Sequence, residues 1–259
     1  SLEPLAVHSK SKMPLTREFR VFVRDGRPWL SAPYWEEGDY RDEAIESAFT
    51  HKTKLVVMNS PSNPTGAILP RSLVERIAEL VLRHDAWIVS AEIYERLTYG
   101  QSSICVPTLG REVAERTVLV NGCSKSYAMT GWRIGYAVAP KAIASAMANL
   151  QDQVTSNPTS FAQAGAIEAL RMPADTVESM RAEFEQRRNM IVGLLREIPG
   201  LSVPEPGGAF YVFPDVSSYL GRRFMTDVQL ADHLLESAHI ACVPGSVFEG
   251  PGHLRPGPH

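Results

Sequence analysis

The amino-acid sequence predicts an α/β fold, with a mainly parallel β-sheet sandwiched by helices and a smaller α+β domain at the C-terminal end. Short apolar runs alternate with helical stretches in the first half of the chain, as is typical of units around a parallel sheet. The chemically suggestive motifs of this half follow the apolar runs, as expected for a site at the carboxyl ends of parallel strands. The second half instead combines one long helix with isolated strands.

The elements of the sheet follow in chain order. Helical spacing over residues 41–49 places Ala44, Ile45, Ala48 and Phe49 on one face and predicts a first helix. Short continuous apolar runs that end in turn residues predict buried strands, and an amphipathic helix separates the first two of them. The predicted strands are 54–59, 86–90, 117–120 and 134–138, and the predicted helix is 71–83.

The second half is predicted to be helical at first and mixed afterwards. Its longest helix has a charged face and would form the hinge to the smaller domain. We therefore place the large domain in residues 1–180 and the small domain in residues 181–259. The predicted helices are 142–150, 161–170, 177–198 and 228–238, and the predicted strands are 208–214 and 240–243.

Composition narrows the functional classes. The chain has 259 residues and a formal net charge of −3, which argues against nucleic acid or an anionic membrane surface as the main partner. Cys105, Cys123 and Cys242 have neither CxxC nor metal-like spacing, which favours reduced thiols in a cytoplasmic protein. No apolar run approaches the roughly 18–20 residues that cross a bilayer, so no membrane association is predicted.

The segment 121–136, NGCSKSYAMTGWRIGY, carries the strongest chemical signal. It places Lys125 directly after Ser124 and ahead of Arg133 in a run rich in small residues. A lysine can form a Schiff base with an aldehyde cofactor, and an arginine can bind a phosphate with two parallel hydrogen bonds. An isolated loop lysine is usually a solvated surface charge, so the assignment depends on the other motifs.

Two further motifs follow the first two predicted strands. The loop 59–66, NSPSNPTG, contains Asn63, although taken alone this composition is that of an ordinary turn. The segment 90–97, SAEIYERL, contains Ala91 and Tyr94. Because the carboxyl ends of parallel strands share one edge of the sheet, both motifs should meet the lysine segment there.

The remaining candidates lie towards the two ends of the chain. The motifs GAFYVFP and VPGSVF precede GHLR, in which Arg255 is either a carboxylate-binding residue or a frayed terminal arginine. Asn157 precedes a proline and either reaches a site or begins a helix. Trp35, in PYW, either stacks on an aromatic ligand or packs in the core.

These motifs resemble class I/II pyridoxal-phosphate (PLP) aminotransferases of fold type I, and the lysine segment is most similar to the aspartate and aromatic branch. The resemblance covers about residues 31–255. It implies PLP as the cofactor, a PLP-binding large domain, and N-terminal residues that form an arm of the small domain. It also implies a homodimer in which the partner subunit completes each pocket.

The resemblance assigns the cofactor-binding residues. Lys125 would be the Schiff-base lysine and would shuttle the proton during transamination. Arg133 and Ser124 would bind the phosphate. Asn63 and Tyr94 would hydrogen-bond the phenolic oxygen of the ring, and Tyr94 is also expected to be catalytic.

The resemblance also implies substrate contacts and exposes one departure. Arg255 and Asn157 would bind the substrate, and Trp35 would stack on the pyridine ring. Where the family has an aspartate beneath the pyridine nitrogen, this chain has Ala91, which would weaken the ring as an acceptor of electrons. Glu92 cannot simply replace that aspartate, because adjacent strand residues point to opposite faces.

The expected function is therefore PLP-dependent transfer of an amino group between an amino acid and a 2-oxo acid. Two alternatives stay open: another PLP-dependent lyase, synthase or oxidase, and a cofactor-impaired protein that binds a ligand or partner. Ala91 supports the cofactor-impaired protein. An engineered substitution of aspartate by alanine would leave the same residue at this position. Family members are considerably longer than this chain. Two explanations of the missing segments are that the sequence joins parts of a longer chain, or that the protein is degenerate. The family pattern breaks off abruptly near Trp35, 221–225 and Pro256, which favours the first explanation.

Overall fold

The computed structural model describes residues 22–24, 27–30 and 42–257. The first two of these stretches are strands β1 (Phe22–Arg24) and β2 (Arg27–Leu30), which pair antiparallel. Helix α1 (Asp42–Ala48) follows. The predicted stacking residue Trp35 lies outside the described residues.

The central sheet has four strands, and the prediction of a mainly parallel sheet is confirmed. Strands β3, β4 and β5 are parallel, and β6 runs antiparallel to β5. The connection from β5 to β6 contains only a short 3₁₀ turn, Thr130–Trp132, and no crossover helix of the kind that joins parallel strands. The strands are Leu55–Asn59 (β3), Trp87–Ala91 (β4), Thr117–Gly122 (β5) and Gly135–Val138 (β6).

The main hydrophobic core lies between one face of this sheet and helices α1, α2 (Arg71–Arg83) and α3 (Arg111–Ala114). Alternate residues of the strands enter it, including Val56, Met58 and Ile88, and they pack with the apolar stripe of α2. The period of two in the strands and the helical period in α2 both follow from the geometry of these elements. On the opposite face, the Leu55 and Val57 side chains of β3 are exposed.

Three helices follow the sheet. They are α4 (Lys141–Val154), α5 (Ser160–Arg171) and α6 (Ala174–Arg196). Pro140 and Pro173 stand directly before α4 and α6, where a missing N–H costs no helical hydrogen bond. The expected boundary at residue 180 falls within α6, and this division into domains stays a prediction.

The C-terminal part contains helix α7 (Asp227–Ala238) and the antiparallel strands β7 (Cys242–Pro244) and β8 (Leu254–Pro256). The Thr226 hydroxyl caps α7 by accepting a hydrogen bond from Gln229 N at 3.3 Å. Asp227 is buried, and its carboxylate accepts a hydrogen bond from Ser246 N at 2.6 Å. This bond ties the helix to the turn that leads into β8.

The predicted strand over 208–214 is wrong. Ala209 has a φ of 58°, which is incompatible with an extended ladder. Neighbouring backbone groups instead bind two separate loops, through Gly208 N to Gly66 O at 2.8 Å and Ala209 N to Leu97 O at 2.8 Å. The segment is thus an irregular strap that holds its aromatic residues against the loops at the sheet edge.

Within residues 42–257, no helix combines the length and the apolar character that a bilayer crossing requires.

Candidate active site

The parallel strands bring their following loops to one edge of the sheet, as the sequence predicts. The strand registers align Asn59 with Ala91, and Ala91 with Val120. The NSPSNPTG loop and the residues after Ala91 therefore begin at the same level, and the lysine loop (residues 123–134) begins slightly further along, at the same edge of the sheet. This is the edge at which ligands bind in sheets of this kind.

The lysine loop is a compact turn that is anchored beside Lys125. Cys123 is fully buried, and its carbonyl accepts hydrogen bonds from Tyr127 N at 3.2 Å and Met129 N at 3.3 Å. Cys123 and Met129 also pack against α5 residues, including Ala166. The anchored backbone on either side fixes where the Lys125 side chain begins.

Lys125 lies among aromatic rings and positive charges. Its Nζ is 5.2 Å from the centroid of the Phe210 ring and 5.9 Å from that of Tyr94. The two rings attract an ammonium group, but burial, followed by the charges of Arg255 and Arg133, lowers the pKa of Lys125. A lysine with a lowered pKa has a larger neutral fraction, so it is a better nucleophile and proton acceptor.

Arg255 and Asn63 meet across 192 positions of sequence. Arg255 Nη1 donates to Asn63 Oδ1 at 2.6 Å. The guanidinium lies 4.5 Å from the centroid of the Tyr211 ring and 5.0 Å from that of Phe248, while its buried Nε has no hydrogen-bond partner in the described part of the chain. A planar guanidinium that contacts two rings and keeps nitrogens unused can bind a planar anion such as a carboxylate.

Tyr94 and Tyr211 join the two sides of the site. Both side chains are buried, and their hydroxyl oxygens are 2.8 Å apart. No sequence motif assigned a role to Tyr211, although GAFYVFP marks an aromatic pair, Phe210–Tyr211, between small residues. That pair was the available signal, but its partner lies 117 positions away in sequence.

Arg133 and Ser124 lie at the outer side of the lysine loop. Arg133 is exposed and donates to Thr130 O at 2.9 Å, while the Thr130 hydroxyl donates to Ser124 O at 3.1 Å. The backbone of Arg133 is left-handed, with a φ of 55°. The positive charge of Arg133 contributes to the lowered pKa of Lys125.

Comparison with known proteins gives the same assignment as the motifs. The family model described as aminotransferase class I and II matches residues 21–257. The chain belongs to this family. Aminotransferases of this family depend on PLP, and the expected α/β sheet with helices is that of their known structures.

Individual relatives support the same family membership. The chain is 46% identical over 215 residues to the aspartate aminotransferase of Bacillus subtilis, a match that covers 82% of this chain and 55% of the relative. A probable aspartate/prephenate aminotransferase of Aquifex aeolicus is 46% identical over 216 residues, with the same coverage of each chain. The chain therefore spans about half the length of the curated relatives it matches.

Solved structures match at similar identity. The aspartate aminotransferase of Rhizobium meliloti superimposes with a TM-score of 0.75 at 40% identity, over 83% of this chain and 56% of that one. An aromatic aminotransferase of Pyrococcus horikoshii superimposes with a TM-score of 0.77 at 36% identity, over 84% of this chain and 58% of that one.

The departure from the aminotransferase motif at Ala91 has a defined setting. Ala91 ends β4, its carbonyl accepts a hydrogen bond from Ser60 N at 3.2 Å, and its side chain is partly exposed. Glu92 is buried, and its Oε1 accepts hydrogen bonds from the Ser90 hydroxyl at 2.8 Å and from Val106 N at 3.0 Å. Glu92 therefore binds structural partners in the protein interior.

Glu92 predicts a measurable pH dependence of stability. Burial raises its pKa from the ordinary value of 4.5, so the folded protein binds this proton more tightly than the unfolded chain. Between pH 4.5 and the raised pKa, the free energy of unfolding is expected to fall as pH rises, by up to about 1.4 kcal/mol for each pH unit.

We expect Glu92→Gln to lack this component, because the amide keeps an acceptor for Ser90 and Val106 without carrying a charge. Urea unfolding of both proteins from pH 4.5 to pH 8 measures the difference. Equal pH slopes in the two proteins would show that folding does not raise the pKa of Glu92.

One predicted site residue, Asn157, is not joined to this cluster by any contact among the described residues. Asn157 is exposed, and its Nδ2 donates to Pro158 O at 2.9 Å. No contact recorded for the described residues links Asn157 with Lys125 or Arg255, so its role in substrate binding stays a prediction. The role of Trp35 also stays a prediction, since it lies outside the described residues.

The chemistry of the donor set fits PLP at its aldehyde, phenolic oxygen and phosphate. Lys125 supplies an amine with a lowered pKa. The bond from Arg255 to Oδ1 leaves the Asn63 Nδ2 as the donor, and Tyr94 supplies a hydroxyl that contacts Tyr211. Arg133 supplies a cation for the phosphate, but Ala91 has no group to offer the pyridine nitrogen.

Proposed function

We propose that the protein is a PLP-dependent aminotransferase that moves an amino group between an amino acid and a 2-oxo acid. The observation that best supports this function is the position of Lys125, whose Nζ lies beside the Phe210 and Tyr94 rings. Burial and the charges of Arg255 and Arg133 lower the pKa of this lysine. Family membership supplies the reaction class. Because the named relatives are aspartate aminotransferases, aspartate is the first donor to test.

The cofactor would be held at three points. Arg133 and the Ser124 hydroxyl would bind the phosphate, and Asn63 and Tyr94 would donate hydrogen bonds to the phenolic oxygen. Lys125 would bind the aldehyde carbon. When bound, PLP supplies an aldehyde that captures the substrate's amino group and a ring that accepts electrons from its α-carbon.

The protein's own side chains would orient the substrate and move one proton. Arg255 would bind the α-carboxylate through the nitrogens that Asn63 does not occupy. As a neutral amine, Lys125 would take the proton from the substrate's α-carbon and would hold it as the acid for the return step. Burial, Arg255 and Arg133 lower the pKa of Lys125, which increases the neutral fraction available to act as a base.

We extend the proposal to a cytoplasmic homodimer. Three cysteines without disulfide pairing, Cys105, Cys123 and Cys242, support a reducing compartment. Helix α4 buries none of its residues and exposes Leu150 and Val154, which supports a face covered by a second subunit. A monomeric mass in sedimentation would contradict the dimer.

Ala91 favours a second candidate, a PLP-binding protein with impaired or altered chemistry. Without a carboxylate at the pyridine nitrogen, the ring is a weaker electron acceptor. Such a protein would bind PLP on Lys125 but transfer amino groups slowly, or would catalyse a lyase, synthase or oxidase reaction that depends less on this acceptor.

Titration with PLP tests the proposal directly. We expect a visible absorbance band that saturates with PLP and becomes fixed by borohydride on the peptide that contains Lys125. The exposed lysines Lys52, Lys54 and Lys141 serve as internal controls. The absence of a band, or a label spread over these three residues, would contradict the proposed function.

A further inference from the structure

We propose that Tyr211 is a positioning residue that directs the hydroxyl of Tyr94 towards the cofactor and supports the guanidinium of Arg255. It would thereby connect the part of the site that binds the phenolic oxygen with the part that binds the substrate's carboxylate. This inference deepens the proposed function and rests on it.

The hydrogen bond between the two tyrosines carries the first half of the proposal. Their oxygens are 2.8 Å apart and both side chains are buried, at 3% exposure for Tyr94 and 7% for Tyr211. Each hydroxyl has a single proton. If the Tyr94 hydroxyl donates its hydrogen bond to the cofactor, then the Tyr211 hydroxyl must be the donor in the hydrogen bond between the two tyrosines. Donation by Tyr211 polarises the Tyr94 hydroxyl and makes it a stronger donor.

The ring of Tyr211 carries the second half. The Arg255 guanidinium lies 4.5 Å from the ring centroid, while the hydroxyl of the same side chain reaches Tyr94. Phe248 lies 5.0 Å from the guanidinium. Cation–π contact with a desolvated ring stabilises the cation and restricts its orientation. The Tyr211 side chain thus contacts both Tyr94 and Arg255, the residues proposed to bind the cofactor and the substrate.

Tyr211 is held firmly enough to act in this way. Ala209 N donates to Leu97 O at 2.8 Å, and the Ala209 carbonyl accepts a hydrogen bond from the Tyr99 hydroxyl. The neighbouring Phe210 ring stacks on Phe184 of α6 at 5.3 Å between centroids. These contacts fix the strap directly before Tyr211 and thereby restrict where its ring and hydroxyl can lie.

The test is a spectroscopic pH titration of the PLP-bound protein, with the Tyr211→Phe variant, which keeps the ring and removes the hydroxyl. Weaker donation by Tyr94 leaves more negative charge on the phenolic oxygen, which then holds the proton of the linked Lys125 nitrogen more strongly. We expect the midpoint of the absorbance change to rise by about 0.5 pH unit, the effect of losing one modest hydrogen bond.

Two comparisons separate this role from a general structural effect. Tyr219→Phe is the matched control, because it removes a tyrosine hydroxyl that donates to Pro199 O at 2.5 Å, away from the lysine loop. It should leave the midpoint unchanged. In a Tyr94→Phe background, Tyr211→Phe should cause no further shift, because its effect passes through Tyr94.

The ring is tested separately with Tyr211→Leu. This variant should show the same midpoint as Tyr211→Phe and, in addition, a KM for the amino donor raised about tenfold through the loss of the cation–π contact. An unchanged midpoint in Tyr211→Phe, or an equal shift in both Tyr94 backgrounds, would overturn the inference. A wild-type protein without a PLP band would instead overturn the proposed function, so the two failures are distinguishable.

Discussion

The Lys125→Ala variant is expected to lose the visible chromophore with PLP and to transfer amino groups about a thousandfold more slowly than the wild type. The substitution removes both the amine that links to the cofactor and the base that moves the α-proton. Phosphate binding by Arg133 and Ser124 should persist, so the variant should still bind PLP, measurable by equilibrium dialysis. Single-turnover kinetics with aspartate would measure the loss of proton transfer.

Stability measurements show whether this loss is chemical or structural. Burial and the charges of Arg255 and Arg133 disfavour a protonated Lys125, and its removal relieves that cost at neutral pH. The free energy of unfolding of Lys125→Ala should therefore equal or exceed that of the wild type. Lys141→Ala, which changes an exposed lysine at the start of α4, is the matched control and should keep the chromophore. A chromophore that survives in Lys125→Ala would show that another amine is used.

The strands and their loops could be predicted because they obey local rules. A strand buried in a parallel sheet is a short apolar run, and a chemically specialised loop follows it. Strands β3, β4 and β5 and the loops after them therefore stand out in the sequence. The antiparallel direction of β6 could not be predicted in this way, since an apolar run is the same in either direction.

The failures have a common cause in contacts between distant segments. The strap 208–214 has the apolar composition of a buried strand, but its backbone binds the loops after β3 and β4, which the local sequence does not reveal. The bonds from Tyr94 to Tyr211 and from Arg255 to Asn63 span 117 and 192 positions. Motif resemblance assigned Asn63 to the cofactor and Arg255 to the substrate, so both were predicted to belong to the site, whereas Tyr211 had no assigned role.

Ala91→Asp is expected to raise transamination turnover by about a hundredfold or more, if the ring nitrogen has no other protonating group. A carboxylate at the pyridine nitrogen keeps the nitrogen protonated and strengthens the ring as an electron acceptor. An electrostatic interaction that strengthens in the transition state typically contributes this order of rate. Single-turnover rates with aspartate, measured at saturating PLP, would test the increase.

The setting of Ala91 makes this substitution informative. The β4 register pairs Ala91 with Asn59 on one side and Val120 on the other, and strand alternation places its Cβ opposite to buried Glu92. A partly exposed position accepts a carboxylate at little cost in stability. Ala91→Asn is the matched control, because it has the size of aspartate without the charge and should leave turnover near that of the wild type. Equal rates in Ala91→Asp and Ala91→Asn would mean that the carboxylate has no role at this position and that another group protonates the ring.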